Sequence, residues 1–139
     1  MRPGMLLVAV ASLASIGCGR IREVGECREL ARLVNPALDE IAARVEKDRG
    51  AASYRFAATR YAKLSGDLQH FRLGIPRAQR TLGELSVTMK DAGTHATRLA
   101  DALDKGDAVV AADVRRELGQ LARQQKSLTM RIHGDCSGS

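Results

Sequence analysis

Residues 76–105, PRAQRTLGELSVTMKDAGTHATRLADALDK, decide the fold. Within them Ala78, Leu82, Leu85, Met89, Ala92, Ala96, Leu99 and Leu103 recur at alternating steps of four and three. A strand would alternate every second residue. A period of about 3.5 instead marks a helix whose apolar seam packs along neighbouring helices crossing at about 20°. Leu73-Gly74-Ile75-Pro76 precedes it, with Gly after one helix and Pro starting the next.

Three further seams have the same spacing. The first is Val24, Cys27, Ala31, Val34, Leu38, Ile41, Val45, and the second is Tyr54, Ala57, Tyr61, Leu64, Leu68, Phe71. The last is Ala111, Val114, Leu118, Leu121, Gln125, Leu128, Ile132, where Gln125 alone is polar and reads as a buried, register-setting amide. Asp48-Arg49-Gly50 separates the first pair, with Gly50 suited to a left-handed turn, and Lys105-Gly106-Asp107 separates the last, with Asp107 placed to cap. Links this short make successive helices antiparallel. The expected fold is therefore all-α, an up-down-up-down four-helix bundle over 22–134, with helices at about 22–48, 51–72, 76–105 and 107–133 and a tail at 135–139. Pro36 interrupts the first pattern between seam positions, so a kink near Val34 or Asn35 is expected rather than a break.

The N-terminus carries a different signal. Arg2 precedes an apolar run from Met5 to Ile16, too short to span a bilayer but suited to a secretory signal. It closes in Ser15-Ile16-Gly17-Cys18. This segment, and only the first twenty residues, resembles the precursors of bacterial lipoproteins, although Ser15 stands where that family favours Leu. The resemblance implies a signal peptide over 1–17, cleavage at Gly17-Cys18, lipidation of Cys18 and a short tether over 18–21. It also implies a cell-envelope location, at the periplasmic face of the outer membrane in a Gram-negative host. Two or more acyl chains give stable attachment.

Lipidating Cys18 leaves Cys27 and Cys136, an even pair in a compartment where disulfides persist. Cys27 starts the first helix and Cys136 follows the last. An even number of antiparallel helices brings those places to one end, so a Cys27–Cys136 disulfide closing the bundle is expected.

The chain is basic, with a formal charge of +6; residues 1–17 carry only Arg2, so their removal leaves +5. The tether would hold the disulfide end against the membrane. Arg72, Arg77 and Arg80, and Arg123, Lys126 and Arg131, fall in acid-free stretches assigned to that end, and contact with anionic headgroups is expected. Arg77 and Arg80 sit where a helix dipole disfavours cations, so helix stability does not account for them. Asp101, Asp104, Asp107 and Asp113 make the opposite end acidic.

No nucleic-acid-binding motif accompanies the basic balance, and export argues against such a partner. The haem-attachment pattern Cys-x-x-Cys-His is absent, and the first helix has no Met or His to pair with His133. Asp67-x-x-His70 and Asp91-x-x-x-His95 fall short of a di-metal carboxylate pattern. Nucleophile elbows and phosphate-cradling loops are missing as well. The sequence thus points to a non-enzymatic lipoprotein without cofactor or metal, held at the membrane and meeting another envelope protein. The alternative is a small-molecule or haem-binding bundle with its ligand near Tyr54, Tyr61 and Met89.

Overall fold

A computed structural model describes residues 4–138, with side chains from 21 onward. Among these residues the chain forms four helices and no strand: α1 (Gly4–Lys47), α2 (Ala51–His70), α3 (Pro76–Asp104) and α4 (Ala108–Cys136). α2 packs on α3 and α3 on α4, α1 lies against α2 and only sparsely against α4, and the diagonal pairs stay apart. This is the up-down-up-down bundle, and Cys27 and Cys136 are bonded at one end of it. No helix is long and apolar enough to cross a membrane among the described residues.

The ends follow local chemistry. Pro76 occupies the first turn of α3, where its missing N–H costs nothing. Gly106 adopts φ +67, the left-handed conformation that ends α3, and the Val110 amide donates to Asp107 Oδ1 at 3.1 Å to start α4. Gly50 departs from expectation. Its φ of −83 and ψ of 173 place it as the extended N-cap of α2, and its amide donates to Asp48 Oδ1 at 2.9 Å. Pro36 lies exposed within an unbroken α1, its ring turned from the core as the seam spacing required. α1 is helical well before residue 22, and α4 runs through Cys136 rather than stopping at 133.

The largest apolar cluster lies at the disulfide end, where Leu64, Leu68, Leu82, Leu85, Met89 and Leu128 are almost wholly buried. The middle is thin, built on Ile41, Ala57 and Ala96. Tyr54, Leu99 and Val114 anchor the other end. Small residues let α2 and α3 approach closely. A Cβ on Gly93 would sit 3.3 Å from the Ala58 carbonyl oxygen. Ser65 Oγ donates to the Ser86 carbonyl at 2.8 Å and Ser86 Oγ to the Ser65 carbonyl at 2.9 Å, so both buried hydroxyls are satisfied across the interface. Ser86→Ala is expected to lower stability by about 1 kcal/mol, read from the urea midpoint at unchanged slope.

Two seams differ from the sequence pattern. α1 buries Leu30, Val34, Ala37 and Ile41, whereas Ala31 and Val24 are exposed. On α4, Leu118, Leu121 and Gln125 are only half-buried. The two departures go together: α1 packs chiefly on α2, and its flank toward α4 is left open.

Candidate functional site

Two cavities lie along the opening between α1 and α4. The lower, about 530 Å³, begins at the Cys27–Cys136 bond. Leu30 and Val34 of α1, Leu85 of α3 and Ile132 of α4 form its walls, with Asn35, Thr129 and His133 at its edges. The upper, about 550 Å³, is lined by Ile41 and Val45 of α1, Tyr54 and Tyr61 of α2, and Leu118 and Gln125 of α4. Volumes of this order are those of small-molecule sites.

Gln125 lies on the wall of this seam. Its amide donates to Thr129 Oγ1 at 3.2 Å on its own helix rather than crossing to a neighbour. It is thus half-buried and paired along α4, not a buried amide setting register. Tyr54 and Tyr61 face the upper cavity as the alternative reading required, but Met89 is sealed in the core cluster and does not line it.

Burial raises the Tyr61 phenol above its ordinary value of 10.0. The folded state therefore resists ionisation that the unfolded chain accepts. Its contribution is complete below about pH 10 and is lost as pH rises further. Tyr61→Phe is expected to flatten the alkaline decline in stability between about pH 10 and 12, measured by denaturant melts.

The charges fall differently from a simple two-ended sorting. Arg72 turns back onto the end of α2, donating to the Gln69 and Phe71 carbonyls at 3.0 and 3.1 Å. Arg77 faces Asp135 at 3.9 Å and Arg131 faces Glu84 at 3.3 Å. Arg80, Arg123 and Lys126 make no ion pair among the described residues. Glu26 of α1 also reaches this end, accepting from the Gly74 amide at 2.6 Å. Local sequence could not show it, because the carboxylate and the loop are 48 residues apart.

The opposite end is acidic in count but engaged. Arg55 of α2 pairs with Asp101 at 3.1 Å and with Asp104, and these carboxylates raise its pKa further. Asp113 pairs with Arg116, and Asp107 caps α4.

The histidines are apart in role. His70 Nδ1 lies 2.9 Å from the Gly66 carbonyl, and His95 joins Arg98 at Glu117, with Nε2 to Oε2 at 2.8 Å. His133 edges the lower cavity. No group of three or more His, Cys, Asp or Glu side chains converges as a metal site among the described residues. The Cys18 side chain lies outside the described residues, so the geometry bears on the disulfide pair and not on lipidation.

No protein-family model matches the chain, and no curated protein or solved structure matches it either.

Proposed function

We propose that the chain is an exported, lipid-anchored envelope protein whose role is binding rather than catalysis. The Cys27–Cys136 bond carries this reading together with the apolar run that ends at Cys18. Disulfides persist outside the reducing cytosol, and one acylated sulfur accounts for the odd cysteine. Cleavage before Cys18 would leave a tether that sets the disulfide end against the membrane, where Arg72 and Arg80, neither of them paired with a carboxylate among the described residues, meet anionic headgroups. Another envelope protein is the partner at the far end, where Val109 and Val110 are exposed beside the aspartates.

Mass spectrometry of the mature protein from its own host tests the reading. The expected result is an N-terminus at Cys18 bearing the mass of acyl chains. An N-terminus at Met1, or a free Cys18 thiol, would sink it.

A second reading, a small-molecule-binding bundle, is favoured by one observation: Tyr54 and Tyr61 line a cavity of about 550 Å³ rather than a filled core. Its ligand need not be haem. Besides the oxidised cysteines, Met130 is the side chain of the lower cavity that could ligate iron with His133, and it lies three residues away on the same helix, so the two cannot take opposite faces of a haem.

A further inference from the structure

Arg123 and Lys126 do not fit the headgroup role that sequence position suggests. They lie 13 and 10 residues before Cys136 on α4, hence roughly 20 and 15 Å above the disulfide end. Electrostatic attraction to a surface fades within a Debye length of about 8 Å at physiological salt. They are too high to serve a membrane below, and neither is paired with a carboxylate.

What they adjoin is the α1–α4 opening. A shallow recess of about 470 Å³ on α4 is lined by Arg123, Lys126, Ser127, Met130 and Arg131, with no acidic side chain. Met130, 65% exposed, is shared between this recess and the lower cavity. An apolar slot between Leu30, Val34, Leu85 and Ile132 thus opens past one flexible side chain onto three cations. A ligand complementary to both halves carries a hydrocarbon chain and an anionic end.

We propose that the α1–α4 opening is a binding site for a single-chain anionic amphiphile: a long acyl chain ending in a carboxylate or phosphate. The tail lies in the lower cavity against Val34 and Ile132. The head lies on Arg123 and Lys126, with Arg131 shared with Glu84. The side chain of Met130 is the sill between them, and its unbranched thioether adapts to the chain that crosses it. The upper cavity continues along the same seam, through the neighbouring positions Val34 and Leu38 of α1 and Thr129 and Gln125 of α4, and leaves room for a longer tail. This deepens the small-molecule reading and requires nothing of the lipid anchor.

The test titrates the full chain, with its disulfide intact, against monomeric palmitate and lysophosphatidate below their micellar concentrations. Octanoate and hexadecanol serve as controls, with stoichiometry read by native mass spectrometry. One long-chain anion per chain is expected, with octanoate and hexadecanol each at least about 10-fold weaker. Comparison of palmitate with lysophosphatidate separates a carboxylate-selective head site from a phosphate-selective one. Arg123→Glu combined with Lys126→Glu alters exposed residues outside the core, and it should weaken binding of the preferred anion about 30-fold. Ala31→Trp, at the exposed edge of the lower cavity, should block the tail at an unchanged melting temperature.

Equal affinity for hexadecanol, or charge-reversal binding unchanged while the fold is intact, would overturn the site. So would multiple non-saturating additions by mass. A free Cys18 would leave this site standing, and failure here would leave the N-terminal mass as it is, so the two ideas fail separately.

Discussion

Replacing Cys27 by serine should lower the unfolding free energy by about 4 kcal/mol, a large part of the 5–15 kcal/mol that holds a domain of this size together. The bond spans a sequence separation of 109, so nearly the whole domain is closed in the unfolded chain. In the chain-entropy treatment its stabilisation comes mainly from restricting that state. The native geometry adds a local consequence. α1 touches α4 sparsely, and the bond is the covalent join between them. Its loss leaves α1 held by Leu30, Val34, Ala37 and Ile41 against the other helices, and by Glu26 on the Gly74 amide.

Hydrogen exchange should therefore rise first and most in α1, while the α2–α3 interface keeps its protection. Cys136→Ser and chemical reduction should reproduce both effects, and the double mutant should cost no more than either single one. Uniform loss of protection across all four helices would show that α1 does not lean on the bond in this way.

The architecture was legible in the sequence because a seven-residue apolar repeat and helix-ending residues leave few alternatives. α3 shows this best: every seam residue from Ala78 to Leu99 is buried as its spacing required. α1 shows the limit. Its seam and the observed core share Val34 and Ile41, yet Leu30 and Ala37 are buried where Ala31 and Leu38 were expected to lead. A repeat read from one strip of apolar residues fixes the period but not the rotation when a second strip runs beside it. Which strip wins depends on how many neighbours the helix has. α1 has one close neighbour, so its buried strip turns toward α2, and the opening toward α4 follows.

The charge pattern was less legible for a related reason. Acid-free stretches along the chain gave Arg77 and Arg131 no partner, but Asp135 and Glu84 come from adjoining helices. Sequence distance hides cross-helix pairs. The candidate site was visible only in outline, through Tyr54 and Tyr61. That Arg123 and Lys126 adjoin an apolar slot depends on the packing of α1, which no local pattern states.

Gly93 is where α3 comes close against the backbone of α2. Its absent Cβ would lie 3.3 Å from the Ala58 carbonyl oxygen, 3.4 Å from Tyr61 Cβ and 3.6 Å from the Ala62 amide nitrogen. Two of those three atoms belong to the backbone of α2 and cannot rotate away. Alanine adds one methyl, and its better helix propensity, about 1 kcal/mol over glycine, offsets the few tenths of an ångström by which α2 must yield. Gly93→Ala should therefore be nearly neutral.

Leucine has no such compensation. Its branch must enter the α2–α3 interface, separating the helices that form the most extensive contact in the bundle and pulling Ser65 and Ser86 out of reach. Overpacking costs about 1–3 kcal/mol where neighbours can adjust. Here the neighbour is backbone and two buried hydroxyls lose partners, so about 4 kcal/mol is expected. Gly83→Ala supplies the control. That glycine is exposed and its Cβ would meet nothing within 4 Å, so the substitution should gain about 1 kcal/mol from propensity alone. Urea melts of the three variants check the order. If Gly93→Leu fell within 1 kcal/mol of the parent, the close approach of α2 and α3 would be wrong.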